Sequence, residues 1–326
     1  MPNTTVAAPA KPLLTVVTVI LNIIKNKREV AFRNCVESVI SQTCPGIEHL
    51  VIDGGSTDGT VEMLQNLQKN SKIRFISEKD RGIYDAMNKG IRNAFGKYIM
   101  FLNSDDAFLD CNSVENVIPV LEKENADYSY ADAEVYTVNH SSLLYTWKGS
   151  IQDIPYGYYP CHQTVFVRKA VLEQLGGFHE DYMANDNLLM LQLVSGNWKG
   201  VYIPRAIIAF HAGGASREMI QEKELMKAEH ITFFTKKCKL ALSADELSYL
   251  YEKQFCYLPY DQVIKIGSHL GKAEWIQSFF SCYLDFVRNQ EKEKKEKSRK
   301  SLSLSSLSSR SRISATASWK QPMAGM

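Results

Sequence analysis

The sequence predicts an α/β fold, a mostly parallel sheet with helices on both faces. Three observations predict it. From Leu13 to Leu102, short strand-like runs alternate with stretches of helical apolar spacing. The first run, LLTVVTVI, is apolar at successive positions rather than every second one, as in a strand buried on both faces. A composition of 45% hydrophobic and 23% charged residues suits a globular chain with a sizeable core.

The elements follow in order. After the first strand, Val30, Cys35, Val36, Val39 and Ile40 fall near helical spacing and predict a helix over about 28–43. HLVI (49–52) is a second strand, and Thr60 to Lys69, with Val61, Met63, Leu64 and Leu67, a second helix. IRFI (73–76), Ile83 to Asn93 and KYIMFL (97–102) continue as strand, helix, strand. The second half reads as a mixed or antiparallel extension: strands at Asp127–Val138 and Leu143–Lys148, then a short strand, helix and Gly-Gly stop in VFVRKAVLEQLGGF. A helix at Asn187–Ser195 and a strand in WKGVYIPRAIIAF complete it.

The 326 residues suggest more than one unit, since domains commonly run to about 100–200 residues. The α/β unit takes 12–215. Helical patterns at Met219–Lys239, Ala244–Tyr257 and Lys272–Arg288 predict an appendage over 216–290. The segment 291–326 opens on EKEKKEKSRK and becomes Ser-rich, so it is expected to be disordered. Residues 291–312 hold eight Lys/Arg against three Glu, a net of +5, which also suits an anionic lipid surface.

Several function classes are excluded. A formal charge of +2 gives no general nucleic-acid footprint. Seven widely spaced cysteines without a CxxC pair argue against a zinc site or a disulfide framework, and fit a reducing cytoplasm. MPNTTVAAPAKP lacks the apolar core of a secretory leader. The longest near-apolar run, Leu13 to Ile24, falls short of the ~20 residues that span a bilayer.

Three polar clusters follow three strands, at the edge where open α/β sheets bind ligands. Asp53-Gly-Gly-Ser-Thr-Asp58-Gly-Thr60 is either a capped strand–turn–helix joint or a ligand loop led by Asp53. It is no EF-hand, because Leu64 stands at position 12, and no P-loop, because GKS/GKT is missing. The run Glu78 to Gly90 opens a helix and carries Arg81, either an ion-pair cluster or an anion site. Asn103-Ser104-Asp105-Asp106 sets two carboxylates side by side at a strand end, either a polar turn or oxygen ligands for Mg²⁺ or Mn²⁺ beside a phosphate.

From Leu13 to about Gly213 the chain resembles a family 2 glycosyltransferase with the Rossmann-like GT-A fold. The phrases that carry the likeness are VESVISQTCPGIEHLVIDGGSTDGT, EKDRGIYDAMNKGIRNAFGKYIMFLNSDDAF, HQTVFVRKAVLEQLGGF and MANDNLLM, in that order. The resemblance implies an inverting transfer of a sugar from a nucleotide-sugar, usually UDP-linked, to a hydroxyl of a lipid-linked or surface-polysaccharide acceptor such as lipopolysaccharide. It implies Mn²⁺ or Mg²⁺, with Asp105 as principal ligand, Asp106 adjacent and His211 as a third. It assigns nucleotide-sugar contacts to Thr18, Asn22, Asp53, Asp80, Arg81, Asn88, Asn103 and His162. Asp186, in MANDNLLM, becomes the general base, although alone it would read as a helix cap.

The sequence departs from the family in three places. Gly54 stands where many members have a second acid, so Asp80 or Arg81 shares that role. Asn103 replaces the first acid of the DxD motif. Leu21-Asn22 replaces Tyr-Asn. Trp147 and Trp198 read as core packing or as sugar platforms. A nucleotidyltransferase is the competing enzyme reading, but LNIIKNKRE lacks the Gly-rich basic loop it needs. A non-catalytic module is the other alternative, and both Asp105 and Asp186 are present against it. The appendage is expected either to dock on the inner face of the cytoplasmic membrane or to pack in a homodimer.

Overall fold

The apolar run after Pro12 forms strand β1 (Leu14–Ile20), and both of its faces are covered. Leu14 and Val16 face one cluster of the core and Val17 faces another. This computed structural model describes residues 11–70, 72–137, 142–151, 154, 159–179, 185–212, 243 and 245. The expected helices after Arg217, the basic tail and the boundaries at 216 and 291 lie outside the described residues.

Helix α1 (Glu29–Ile40) follows, then β2 (Ile47–Asp53), α2 (Thr60–Lys69), β3 (Arg74–Ser77), α3 (Ile83–Asn93) and β4 (Tyr98–Phe101). The apolar stripe of α1 is Phe32, Cys35, Val36 and Val39, in i, i+3, i+4, i+7 spacing. Val30 and Ile40, expected on that stripe, are 73% and 42% exposed instead. Phe32 takes the place of Val30, and its full burial is worth roughly 1.5–3 kcal/mol.

The second half begins with two short elements that periodicity did not mark, β5 (Ala107–Phe108) and α4 (Ile118–Lys123). Strands β6 (Tyr128–Tyr136), β7 (Leu143–Trp147) and β8 (Phe166–Arg168), helices α5 (Lys169–Leu175) and α6 (Asn185–Ser195), and β9 (Gly200–His211) complete the order. The nine strands form one sheet in the order β3-β2-β1-β4-β8-β6-β9-β5, with β7 paired to β6. Strands β3, β2, β1 and β4 are parallel neighbours. β8 runs against both β4 and β6, and β6 and β9 are again parallel. The expected mostly parallel sheet, with an antiparallel admixture in the second half, is what forms.

Helices cover both faces. Ala86, Met87 and Ile91 of α3, Val171 and Leu172 of α5, and Leu188 to Val194 of α6 pack on one side. Residues of α1, α2 and α4 pack on the other. Helix α3 comes close because Gly90 faces β1: a Cβ there would stand 2.5 Å from Val17 Cγ1. Pro204 sits inside β9, where it has no N–H for the ladder. The pairing jumps there, from Ala131↔Ile203 to Asp132↔Ala206, and this bulge lets β9 continue to His211.

Two consequences position the site. The parallel strands end together: the Gly54 N–H bonds the Ile20 carbonyl, the Leu102 N–H that of Val17 and the Glu78 N–H that of Asp53. The loops after β1, β2, β3 and β4 therefore share one edge. The pairing of β5 with β9, Ala107 opposite Ala209, brings Asp105 and Asp106 beside His211.

Candidate active site

Asp105 and Asp106, adjacent in sequence, have different surroundings. The Asp106 side chain is 2% exposed. Its Oδ1 accepts the His211 backbone N–H at 2.7 Å, and its Oδ2 accepts Gln163 Nε2 at 2.5 Å. Asp105 keeps a 24% exposed side chain, and its Oδ2 pairs with Arg28 at 2.7 Å. Burial, followed by the charge of Asp106, pushes the Asp105 carboxyl above its ordinary range, while Arg28 pulls the other way. His211 Nδ1 lies 2.7 Å from the Asp105 carbonyl oxygen. A carbonyl only accepts, so Nδ1 carries the hydrogen of this contact.

Arg28 comes from the loop after β1, which is pinned to the loop after β2. Asn22 donates its N–H to Ser56 Oγ at 2.7 Å and accepts the Thr57 N–H at 3.1 Å. The Lys25 N–H bonds Asp58 Oδ2 at 2.6 Å. Asn22 and Lys27 both adopt positive φ, 49° and 55°, so the loop folds back tightly before α1.

The 3₁₀ turn His162–Thr164 joins two parts of the edge. His162 Nδ1 lies 3.5 Å from Asp186 Oδ2, with side chains 25% and 31% exposed. Gln163, next in sequence and fully buried, donates to Asp106 and accepts the Asn103 N–H at 2.8 Å. Asp186 stands in the first turn of α6. The start of that helix is anchored by Asn185, whose N–H bonds Tyr84 Oη at 3.0 Å, whose Oδ1 accepts the His179 N–H at 2.9 Å, and whose Nδ2 donates to the His179 carbonyl.

At the far side of the edge Asp53 is fully buried. Its carboxylate accepts Ser56 N at 3.0 Å, Ser77 Oγ at 2.6 Å and Ser56 Oγ. It closes its own loop and offers no exposed oxygen to a base. The Asp80 carboxylate lies against the bare Cα of Gly54, in the space a Cβ at position 54 would fill. Burial pushes the Asp80 carboxyl up. Lys89 braces this loop from α3, bonding the Lys79 carbonyl at 2.8 Å and Glu78 Oε1 at 3.2 Å. Arg81 is 74% exposed along its side chain and pairs with Asp85 at 3.3 Å.

Thr18 and Asn88, expected at the donor, point into the fold in this geometry. Thr18 is fully buried, with its hydroxyl 3.0 Å from His49 Nε2, so it faces the interior rather than a donor. Asn88 is 9% exposed and clamps Phe178, donating to its carbonyl and accepting its N–H, both at 2.8 Å. Asp106, unlike Asp105, is buried with one hydrogen bond to each carboxylate oxygen, from the His211 N–H and from Gln163. Trp147 donates to the Tyr159 carbonyl at 2.9 Å and meets Phe210 edge-on, and Trp198 packs on the core. The residues the sequence did not single out are Arg28 and Asn185. Arg28 gives no local signal, because its partner lies far along the chain. Asn185, a capping-type residue beside Asp186, gave a weak one.

A concavity of about 1200 Å³ opens at the opposite end of the strands, lined by Leu13, Glu48, Arg74, Gly96, Arg168 and Lys169 among others. Of its cations, Arg74 pairs with Glu48 and Lys169 with Glu173, and it holds none of the residues above.

The sequence model of Glycosyl transferase family 2 matches residues 19–168. A PGL/p-HBAD biosynthesis glycosyltransferase of Mycobacterium tuberculosis is 28% identical over 178 residues, 53% of this chain and 66%, just under two thirds, of that protein. An uncharacterized glycosyltransferase of Rickettsia felis is 41% identical over 95 residues, 29% of this chain and 16% of the relative. Among solved structures, S. aureus TarS 1-349 superposes with a TM-score of 0.54 at 16% identity, covering 85% of this chain and 87% of that one. The mannosyltransferase PcManGT of Pyrobaculum calidifontis, solved with GDP-Man and Mn²⁺, gives 0.52 at 15% identity, covering 85% and 86%. The match over residues 19–168 marks a glycosyltransferase family 2 domain within this chain, and the superpositions show that its fold is of the GT-A type.

Proposed function

We propose that the chain transfers a sugar, with inversion, from a nucleotide-sugar to a hydroxyl of a lipid-linked or surface-polysaccharide acceptor, with Asp186 as general base. The observation that carries this reading is the dipeptide His162-Gln163. One side chain lies beside Asp186 and the next holds Asn103 and Asp106, so the carboxylate meant for the proton and the loop meant for the diphosphate are tied to one turn. In the transfer the acceptor oxygen bonds the anomeric carbon, its proton passes to Asp186, and the bond to the diphosphate breaks, releasing a nucleoside diphosphate. Donors named in solved relatives are UDP-GlcNAc and GDP-Man. A UDP-sugar is proposed here. Asp80 lies against Gly54 to meet the base, and the Asn22–Arg28 and Asp53–Asp58 loops frame the nucleotide.

The residues present fit a divalent metal at two points. Asp105 offers a partly exposed carboxylate, and His211 offers Nε2, with its ring held by the Asp105 carbonyl. Among the described residues no group of three or more His, Cys, Asp or Glu stands ready to hold an ion unaided. A site of two protein ligands completed by substrate phosphates is a common form for Mg²⁺, and the imidazole favours Mn²⁺. When bound there, the metal would neutralise charge on the leaving diphosphate. No helix among the described residues is long and apolar enough to cross a membrane. The basic segment 291–312 is proposed to bring the enzyme to an anionic inner membrane face, where a lipid-linked acceptor would lie.

The test is a donor screen with Mn²⁺, scored by release of nucleoside diphosphate rather than pyrophosphate. Asp186→Asn should abolish release while leaving donor affinity unchanged. Full turnover by that variant removes Asp186 as base, and pyrophosphate release removes the transferase reading.

A further inference from the structure

We propose that Arg28 is a built-in rival of the metal, a guanidinium that occupies Asp105 until a divalent cation takes its place and so lowers the affinity of the site for metal. This rests on the reading of Asp105 as a metal ligand given above. The two cations need the same atom. Arg28 lies 2.7 Å from Asp105 Oδ2, and Asp105 is the one carboxylate of the Asn103–Asp106 loop with exposed surface.

The pairing follows from the chemistry of the loop. The partly exposed carboxylate of Asp105 sits next to the buried carboxylate of Asp106. Without a cation nearby, the Asp105 charge would be poorly compensated. Arg28 supplies one from a backbone that is held in place. Its N–H bonds the Ile23 carbonyl at 2.9 Å, and the preceding loop is tied to Ser56, Thr57 and Asp58. The side chain is 39% exposed, so it can swing into water when displaced. A divalent ion at Asp105 must therefore break an ion pair and settle beside a positive charge. The phosphates of a bound donor relieve both costs, because they attract the metal and the released guanidinium alike. In this arrangement metal binds weakly to the bare enzyme and tightly with the nucleotide.

The experiment uses the full chain and MnCl₂, with free Mn²⁺ followed by its paramagnetic resonance signal, first without nucleotide and then with UDP. Arg28→Gln should bind Mn²⁺ without nucleotide about tenfold more tightly than the parent, the scale expected for losing a partly exposed ion pair and a nearby like charge. Arg28→Lys should stay near the parent. Arg33→Gln, which breaks only the exposed pair with Glu29 inside α1, should change nothing. In an Asp105→Asn background the Arg28→Gln gain should vanish, which locates the effect. A purely structural role for Arg28 predicts the opposite sign, looser metal in a less stable protein. Equal or weaker Mn²⁺ binding by a folded Arg28→Gln, with the parent still taking Mn²⁺ in the presence of UDP, overturns the rivalry and leaves the metal reading standing. No Mn²⁺ binding by either protein, with or without UDP, overturns both.

Discussion

Gln163 holds Asp106 across 57 residues of sequence, its Nε2 2.5 Å from Oδ2 inside a fully buried amide. The other end of the same amide takes the Asn103 N–H. Both ends therefore anchor the loop after β4 to the turn that carries His162. Replacing the amide with a shape-similar apolar group leaves a buried N–H and a buried carboxylate oxygen without partners. Gln163→Leu is expected to cost about 3 kcal/mol of stability. Urea denaturation measures it, and a loss below about 1 kcal/mol would mean that water enters to replace the bonds.

Asp105 makes the opposite prediction. Its carboxyl is raised above the ordinary value, so the folded state disfavours the charged form that neutral pH imposes. Asp105→Asn removes that cost and leaves Arg28 to be solvated. The variant should be more stable than the parent at neutral pH, yet fail to release nucleoside diphosphate from any donor. The sign follows from linkage. The stability gain is full above the raised value and vanishes below about 3.8, where both states of the parent hold the proton. Melts at pH 7 and pH 3 test this, and a less stable variant at pH 7 would show that the Arg28 pair outweighs the burial.

How much of this was legible in the sequence depends on the range of the interaction. The strands and helices of the first half follow from local apolar spacing, and the three polar clusters from their place after strands. Asp105, Asp106 and His211 were legible as a group only through resemblance. What separates Asp105 from Asp106 is contact with Arg28, Gln163 and the His211 backbone, residues 57 to 105 positions away, and no local pattern encodes such distances. Thr18 illustrates the same limit. A Thr near a strand's carboxyl end reads as a ligand residue, but it lies two positions before that end, and its side chain meets His49 on the neighbouring strand. The short β5 and α4 were missed because two and six residues carry too little periodicity to register.

His49 should set part of the acid sensitivity. It is 5% exposed on β2, its Nε2 meets Thr18, and its Nδ1 has no partner among the described residues. Burial pushes its pKa down from 6.5 to about 3. The folded pKa lies below the unfolded one, so the unfolded chain takes up a proton first as pH falls. Stability is full above about 6.5 and drains at about 1.4 kcal/mol per pH unit down to about 3. Between pH 7 and pH 5 the parent should lose about 2 kcal/mol more than His49→Leu, read as the shift in urea midpoint. Parallel losses in the two proteins would place the acid sensitivity elsewhere.

Gly54 and Asp80 test the nucleotide side of the edge. A Cβ at position 54 would collide with the Asp80 carboxylate, the far end of a partly exposed side chain on a loop. Such a group rotates away at small cost, so Gly54→Ala should leave stability within about 0.5 kcal/mol of the parent. The carboxylate would then no longer lie against the strand end. If Asp80 meets the base of the donor, UDP affinity should fall several-fold in Gly54→Ala, and Asp80→Asn should fall with it. Calorimetric titration with UDP reads both. Unchanged affinity in both variants, in a protein that binds UDP, would assign the base contact to the backbone of the Asp53–Asp58 loop instead of to Asp80.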